Sequence, residues 1–435
     1  MNDTIAAPAT PVRPAARIIV RTSGPEAFRH AAALGAPALS AGLNSVILSI
    51  PAGDASWRIR ATCYAFLAPR SHTGEDVVEY HLPGNPLIAR RLLEALSRLG
   101  ARAAEPGEFS ARAFFNGKLR LEEAEGIAAT IGAGNERELH AAGRLRAGEL
   151  ARRLQPTLEA LADLLAMCEL GIDFTEEDVT VLDAGEAAER IDALKASLSR
   201  WIEKAPSLEQ LGEPPRIALV GRPNVGKSSL LNALAGFRRA VTSAQAGTTR
   251  DALVAEVELA SGRVILVDLA GLADAPLDML DAQASRRARE ELATAEAIVL
   301  VRDATRNDAD PALPRAPDLV VVNKIDLARD LPREPAGAMA VSALTGEGLA
   351  GLRASLDHLA FATGGDDELA LGDRHRAQLR HALDALELAA GCVEEGAEVL
   401  ALHLREALDA LGAILGTVSP DDLLGRIFSR FCIGK

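Results

Sequence analysis

The sequence predicts a multidomain chain of mixed α/β and α character: an N-terminal α+β domain, a helical domain in two pieces, and an α/β domain inserted between the pieces. Three observations predict it. Residues 119–204 and 370–430 carry helical patterning, with Leu150, Leu154, Leu158, Leu161, Leu164 and Leu165 at three- and four-residue spacing. Residues 216–360 alternate strand and helix, the pattern of a parallel sheet. Residues 1–117 mix short strands with one sharply bounded helix. A length of 435 residues allows two to four domains. The expected divisions are 1–117, 118–212, 213–362 and 363–435, the second and fourth forming one helical domain whose ends accept an insertion.

In chain order, Ile18–Val20, Ser45–Ile50 and Asp76–His81 read as strands. Asn85 and Pro86 open a helix through Leu99 that stops at Gly100, with an N-cap, a first-turn proline and a glycine after the end. Pro156 falls inside the leucine run and is expected to kink or interrupt it. Pro206 and Gly212–Pro215 mark a linker, as do Gly364–Asp367. Arg216–Val220, Val264–Asp268 and Leu319–Val322 are short apolar runs of buried-strand type.

The run Gly221-Arg222-Pro223-Asn224-Val225-Gly226-Lys227-Ser228-Ser229 has two glycines five apart followed by Lys and Ser, the phosphate-loop pattern. Its glycines let backbone amides and a helix N-terminus face a phosphate. Lys227 would reach the β and γ phosphates, and the Ser228 hydroxyl would ligate Mg²⁺. Strand and helix patterns on either side supply the required context. Asp268 ends a strand ahead of Leu269-Ala270-Gly271; it would sit near Mg²⁺, and the Gly271 amide can sense the γ-phosphate. Asn323-Lys324-Ile325-Asp326 follows another strand. The Asp326 carboxylate can accept from both guanine N1–H and the exocyclic amine, which adenine does not offer in that arrangement. Ser342 and Ala343 suit a backbone contact to the base oxygen. These motifs in this order predict a Ras-like P-loop GTPase domain and disfavour an ATPase.

Composition narrows the rest. A net charge of −14 repels nucleic acid in bulk, so any RNA contact needs a local basic patch. Arg144, Arg146, Arg152 and Arg153, and the pair Arg90 and Arg91, are the basic clusters, and solvated helix faces explain them. Cys63, Cys168, Cys392 and Cys432 show no spacing for a disulfide framework or zinc. The N-terminus lacks an apolar run of signal-peptide type, and no stretch approaches a transmembrane span. A cytoplasmic protein is the expectation.

Gly221–Ser229, Ala246-Gly247-Thr248-Thr249-Arg250-Asp251, Ser71–Glu79, Pro106–Leu119 and the terminal Phe431-Cys432-Ile433-Gly434-Lys435 together resemble the tRNA modification GTPase MnmE (TrmE) family. The resemblance runs from Asp3 to the last residue. It implies modification at C5 of the wobble uridine of certain tRNAs, together with a FAD-dependent partner, MnmG, in a heterotetramer. It also implies a tetrahydrofolate one-carbon unit (5,10-methylene-tetrahydrofolate or a related reduced folate) and homodimerisation through a folate-binding-like N-terminal domain.

The resemblance carries over to residues. Thr249 matches the threonine that joins Ser228 on Mg²⁺. Asn224 matches the asparagine that holds a K⁺ ion beside the phosphates, with Ser243, Gln245 and Thr248 completing that site. The nucleotide loop then comprises Ser243, Ala244, Gln245, Ala246, Gly247, Thr248 and Thr249. A monovalent cation there can stabilise transition-state charge as an arginine finger does. Leu272 cannot orient water, and Asp281, on the assumption of a one-residue insertion, stands where the family has a glutamate that does, against the reading of a solvated acid at a helix start. The folate falls on Arg21, Glu79, Lys118 and Lys435: the carboxylate for the pterin N–H donors, the cations for carbonyl and glutamyl oxygens. Cys432 is a candidate thiolate near the one-carbon unit, against the reading of a small buried hydrophobe. Departures occur at Leu269, where the family has threonine, at Arg13–Arg17, where it is glycine-rich, and at Leu82-Pro83-Gly84, where it has His-Gly-Gly. The competing readings are a regulatory GTPase of the ribosome-assembly kind without folate chemistry and, from these departures, a degenerate family member with altered cofactor use. The terminal motif and the N-terminal domain favour the enzyme.

Overall fold

The computed structural model describes residues 3–52, 55–173, 182–236, 253–269, 289–328, 337–361, 369–394, 396–416 and 434. The chain divides into two compact units. One comprises Met1–Gly132, Ala141–Ala205 and Leu369–Lys435; the other comprises Ala133–His140 and Pro206–Glu368.

The first unit begins with β1 (Ile5–Pro8), β2 (Arg17–Ser23), α1 (Ala27–Ala33), β3 (Gly42–Ala52), β4 (Ala55–Phe66), β5 (Val77–Pro83), α2 (Pro86–Arg98), β6 (Arg102–Ala103) and α3 (Glu108–Phe115). The strands form one sheet in the order β3-β4-β5-β2-β1-β6, antiparallel except for the β1–β6 pair. Alternation puts Ile18, Val20, Leu48, Ile50, Tyr80 and Leu82 on one face, where they pack with Leu92 and Leu96 of α2. Asn85 caps α2 by accepting from the Leu87 amide at 2.8 Å, and Gly100 takes φ +103 just past its end. The Arg112 guanidinium is 1% exposed and is held by Asp3, Glu75 and Glu108 at 2.7–3.1 Å.

Five helices continue the chain: α4 (Leu121–Gly132), α5 (Glu136–Arg146), α6 (Glu149–Asp173), α7 (Ala184–Lys204) and α8 (Leu208–Leu211). Leu150, Leu154, Leu161, Leu164 and Leu165 are buried and Leu158 half-buried, as their spacing predicts. Of the two outcomes expected at Pro156, a kink or an interruption, the interruption does not occur, and α6 runs through it. Its ring is exposed, so water can reach the carbonyl that loses its donor, and the buried leucines at ~1.5–3 kcal/mol each outweigh the lost bond. The expected linker at 206–215 carries the one-turn helix α8, because the Ser207 hydroxyl accepts from the Gln210 amide.

The second unit adds β7 (Arg216–Val220), α9 (Lys227–Ala235), β8 (Leu253–Glu258), β9 (Arg263–Asp268), β10 (Ala297–Asp303), β11 (Leu319–Asn323), β12 (Met339–Ala340) and α10 (Leu349–Phe361). The sheet order is β12-β11-β10-β7-β9-β8, parallel except for the β8–β9 edge pair. Ile217 and Leu219 of β7 pack in one core with Leu230, Leu352 and Leu356, while Ala218 and Val220 pack in another with Ile298 and Leu300. A sheet covered on both faces needs such continuous apolar strands. Residues 133–140, expected with the helical domain, bond within this unit instead: Asn135 donates to the Leu211 carbonyl at 2.8 Å and Arg137 pairs with Glu296 at 2.9 Å.

In the first unit the chain resumes with α11 (Asp373–Gly391) and α12 (Ala397–Leu415), two helices where the sequence reads as one helical stretch. Arg374 of α11 bonds Glu125 of α4 at 2.7 Å and the carbonyls of Ala413 and Ile414 at the end of α12, tying three helices together. The fold class is therefore the predicted one. The second linker, 364–367, lies outside the described residues.

Candidate functional site

The parallel strands of the second unit bring their C-terminal ends, and the loops that follow them, to one edge of the sheet, the usual ligand side of such a fold. The loop after β7 is built around two glycines. A Cβ on Gly221 would lie 2.3 Å from the Val301 carbonyl oxygen. Gly226, at φ +95, caps α9, and a Cβ there would lie 2.3 Å from Asn323 Nδ2. That second contact explains why a glycine is needed: Asn323 is 1% exposed and donates to the Val225 carbonyl at 3.1 Å and the Gly226 carbonyl at 3.4 Å. Its Oδ1 accepts from the Ala343 amide at 3.0 Å. One buried amide thus clamps the phosphate loop to the Ser342–Ala343 turn.

Lys324 and Asp326 follow on the same turn. Lys324 Nζ donates to the Asn224 carbonyl and to Asp303 Oδ2, both at 2.6 Å. Ser342 Oγ donates to Asp326 Oδ1 at 2.6 Å, orienting a carboxylate that is otherwise exposed. Lys227 Nζ donates to the Gly221 carbonyl at 3.1 Å and the Arg222 carbonyl at 3.4 Å. Burial lowers the Lys227 pKa, opposed by Asp268 at 3.9 Å. Ser228 Oγ donates to Asp268 Oδ2 at 2.5 Å. Asp268 Oδ1 is buried with no hydrogen-bond partner among the described residues. A buried carboxylate oxygen that accepts no hydrogen bond, beside a hydroxyl, is an all-oxygen donor set of the kind a hard divalent cation takes. Leu269 is 2% exposed and donates its amide to the Leu219 carbonyl at 3.1 Å. Ser229 follows on the first turn of α9, exposed.

The structure therefore gathers Asn224–Ser229, Asp268, Leu269, Asn323, Lys324, Asp326, Ser342 and Ala343 in one unit. Ser243–Thr249, Ala270, Gly271 and Asp281 lie outside the described residues. Asp303 was missed from sequence. The signal was available, since it ends a buried strand beside the phosphate-loop strand, where side chains meet the ligand crevice.

In the first unit, Arg21 and Glu79 are cross-strand partners on β2 and β5, paired at 2.7 Å. The Arg21 guanidinium lies 5.6 Å from the Phe109 ring centroid, and its Nη1 donates to the Gly434 carbonyl at 3.4 Å. A Cβ on Gly434 would lie 2.0 Å from the Pro8 carbonyl oxygen, so the chain end lies against β1. His81, also missed from sequence, lies 3.4 Å from Glu79 and its ring sits 4.8 Å from that of Tyr64. Lys118 is exposed, with its stem 3.3 Å from where a Gly74 Cβ would stand. Cys432 and Lys435 lie outside the described residues. Of the basic clusters, Arg144 and Arg153 both pair with Glu149 at 2.5 Å, holding that carboxyl down at about 2, and Arg91 pairs with Glu94. No described helix is long and apolar enough to cross a membrane.

The chain is similar to known proteins along its whole length. Residues 4–118 match the model of the GTP-binding protein TrmE N-terminus, and residues 121–432 match that of the MnmE helical domain. The chain is 39% identical to the tRNA modification GTPase MnmE of Halorhodospira halophila, covering 100% of this chain and 96% of that protein. It is 40% identical to that of Xanthomonas campestris pv. campestris, covering 100% and 99%. Among solved structures, Era of Aquifex aeolicus bound to GDP and aluminium fluoride is 27% identical over 40% of this chain and 67% of that one, with a TM-score of 0.28. Full-length identity of this order, together with a phosphate loop clamped to an Asn-Lys-x-Asp turn, shows that the chain belongs to the tRNA modification GTPase MnmE family.

Proposed function

We propose that this chain hydrolyses GTP at the Gly221–Ser229 loop and couples the cycle to modification at C5 of the wobble uridine of certain tRNAs. The observation that carries the nucleotide reading is the Asn323 clamp, which sets Asp326 and the phosphate loop on one rigid frame. Asp326 takes the guanine N–H donors, and Lys227 the β and γ phosphates. Ser228 and Thr249 hold Mg²⁺, with Asp268 behind them. Bound Mg²⁺ supplies charge neutralisation at the phosphates. Asn224, Ser243, Gln245 and Thr248 hold K⁺. Asp281 orients the attacking water, and the Gly271 amide senses the γ-phosphate. Asp281→Ala should lower turnover at least roughly tenfold, the size expected for a lost water-positioning group, without changing nucleotide affinity. Near-normal turnover removes Asp281 from the mechanism.

The tRNA chemistry is proposed to draw a one-carbon unit from 5,10-methylene-tetrahydrofolate or a related reduced folate, with a FAD-dependent MnmG partner in a heterotetramer in the cytoplasm. Arg21, Glu79, Lys118 and Lys435 hold the folate, and Cys432 is a candidate nucleophile beside it. The Arg21–Gly434 contact supports this by bringing the chain end to Arg21 and Glu79. Truncation before Cys432 should abolish folate binding and spare GTP hydrolysis; unchanged folate affinity sinks the assignment. Residues 1–117 are proposed to dimerise. The edge strand β3 exposes Leu43 and Ile47 on the face opposite Leu48 and Ile50, an apolar edge that pairing would cover.

A further inference from the structure

Among the described residues, the two non-glycine positions with left-handed φ are Asn224 at +65 and Lys324 at +67. They are joined, since the Lys324 ammonium donates to the Asn224 carbonyl at 2.6 Å. The same ammonium donates to Asp303 Oδ2 at 2.6 Å. Asp303 is 5% exposed, and its other oxygen, Oδ1, accepts from the Thr305 amide at 2.9 Å and the Thr305 hydroxyl at 2.7 Å. Strand register fixes its height: Asp303 of β10 pairs with Asn323 of β11, and the Ala304 amide donates to the Asn323 carbonyl at 2.8 Å. Burial would raise the Asp303 carboxyl, but Lys324 and Thr305 hold it below the usual range, so it is a fixed anion.

We propose that Asp303 is a positioning residue for guanine-nucleotide binding, acting through Lys324. The inference rests on the reading that this unit binds guanine nucleotide. A lysine side chain is long and loses much rotamer freedom when fixed. Anchored by a buried carboxylate, the Lys324 ammonium is held against the phosphate loop by protein groups alone. It thereby ties the Asn323–Asp326 turn to the loop that carries Asn224. Ordering done in advance is not charged to the ligand. Both Asp303 oxygens are taken up by Lys324 and Thr305, so its effect passes through the ammonium.

The test is a mutant cycle on the full chain, read as the affinity for a fluorescent GDP analogue. Asp303→Asn should weaken binding roughly tenfold, and Lys324→Met should weaken it further. The double variant should bind no more weakly than Lys324→Met alone. Losses that add in the double variant overturn the proposal, because Asp303 would then act without Lys324. Thr305→Val tests the same link from the far side of the carboxylate and serves if Asp303→Asn does not fold. It should give a smaller loss that vanishes in the Lys324→Met background, and a loss that persists there overturns the proposal. A wild-type chain that binds no GDP refutes the underlying reading rather than the role of Asp303 alone, and is told apart by that control.

Discussion

Glu122 is a carboxylate with no exposed surface whose two oxygens have no hydrogen-bond partner among the described residues. It sits in the first turn of α4, with Arg120 3.9 Å away and largely in solvent. Burial drives its pKa up from 4.5 to about 7, with Glu123 and Glu125 adding to the rise and its own amide and Arg120 opposing it. The folded pKa thus lies above the unfolded one, so the folded state binds the proton more tightly. Its contribution to stability is fully present below pH 4.5 and is lost as pH rises through 7. At ~1.4 kcal/mol per pH unit, a rise of this size amounts to about 3 kcal/mol. Glu122→Gln keeps the shape and cannot ionise. The variant should match wild type at pH 4 and exceed it by about 3 kcal/mol at pH 8. Urea unfolding followed by tryptophan fluorescence isolates the effect, since both tryptophans, Trp57 and Trp201, belong to the same unit as Glu122. An equal gain at both pH values would mean that packing, not charge, sets the difference. No gain at pH 8 would refute the argument outright.

Other perturbations follow from the same geometry. Glu125 is pushed up by burial but held at about 2 by bonds from His375 and Arg374, so Arg374→Ala should strand a buried charge and cost about 3 kcal/mol or more in the same fluorescence assay. GDP affinity should not change. Gly226→Ala places a methyl against the Asn323 amide and should reduce GDP-analogue binding at least roughly tenfold; wild-type affinity would show that the clamp is dispensable. Leu43→Lys with Ile47→Lys should convert a dimer to a monomer in sedimentation, and a retained dimer places the contact elsewhere.

The parts of this molecule legible in the sequence were those written locally. The phosphate loop, the Asn-Lys-x-Asp turn and both ends of α2 each fit within a few residues whose backbone needs are specific. What escaped depends on partners far apart in the chain. β1 is four residues in a proline-rich stretch and acquires its identity from β2 and β6 on either side. Arg374 and His375 meet Glu125 across about 250 positions, which no periodicity reveals. Pro156 reads as a breaker because local propensity favours that outcome, and tertiary burial of the leucines overrode it. Asp303 looks like a strand-end acid until Lys324 is seen to reach it.

The central claim is that this site hydrolyses GTP with help from a monovalent cation at Asn224. The direct measurement is steady-state hydrolysis of GTP and ATP by the full chain with Mg²⁺, in KCl and in NaCl at equal ionic strength. The account predicts GTP turnover that is strongly faster in KCl, with ATP untouched in either salt. Equal GTP turnover in both salts contradicts the K⁺ site, and hydrolysis of ATP as readily as GTP contradicts the role given to Asp326.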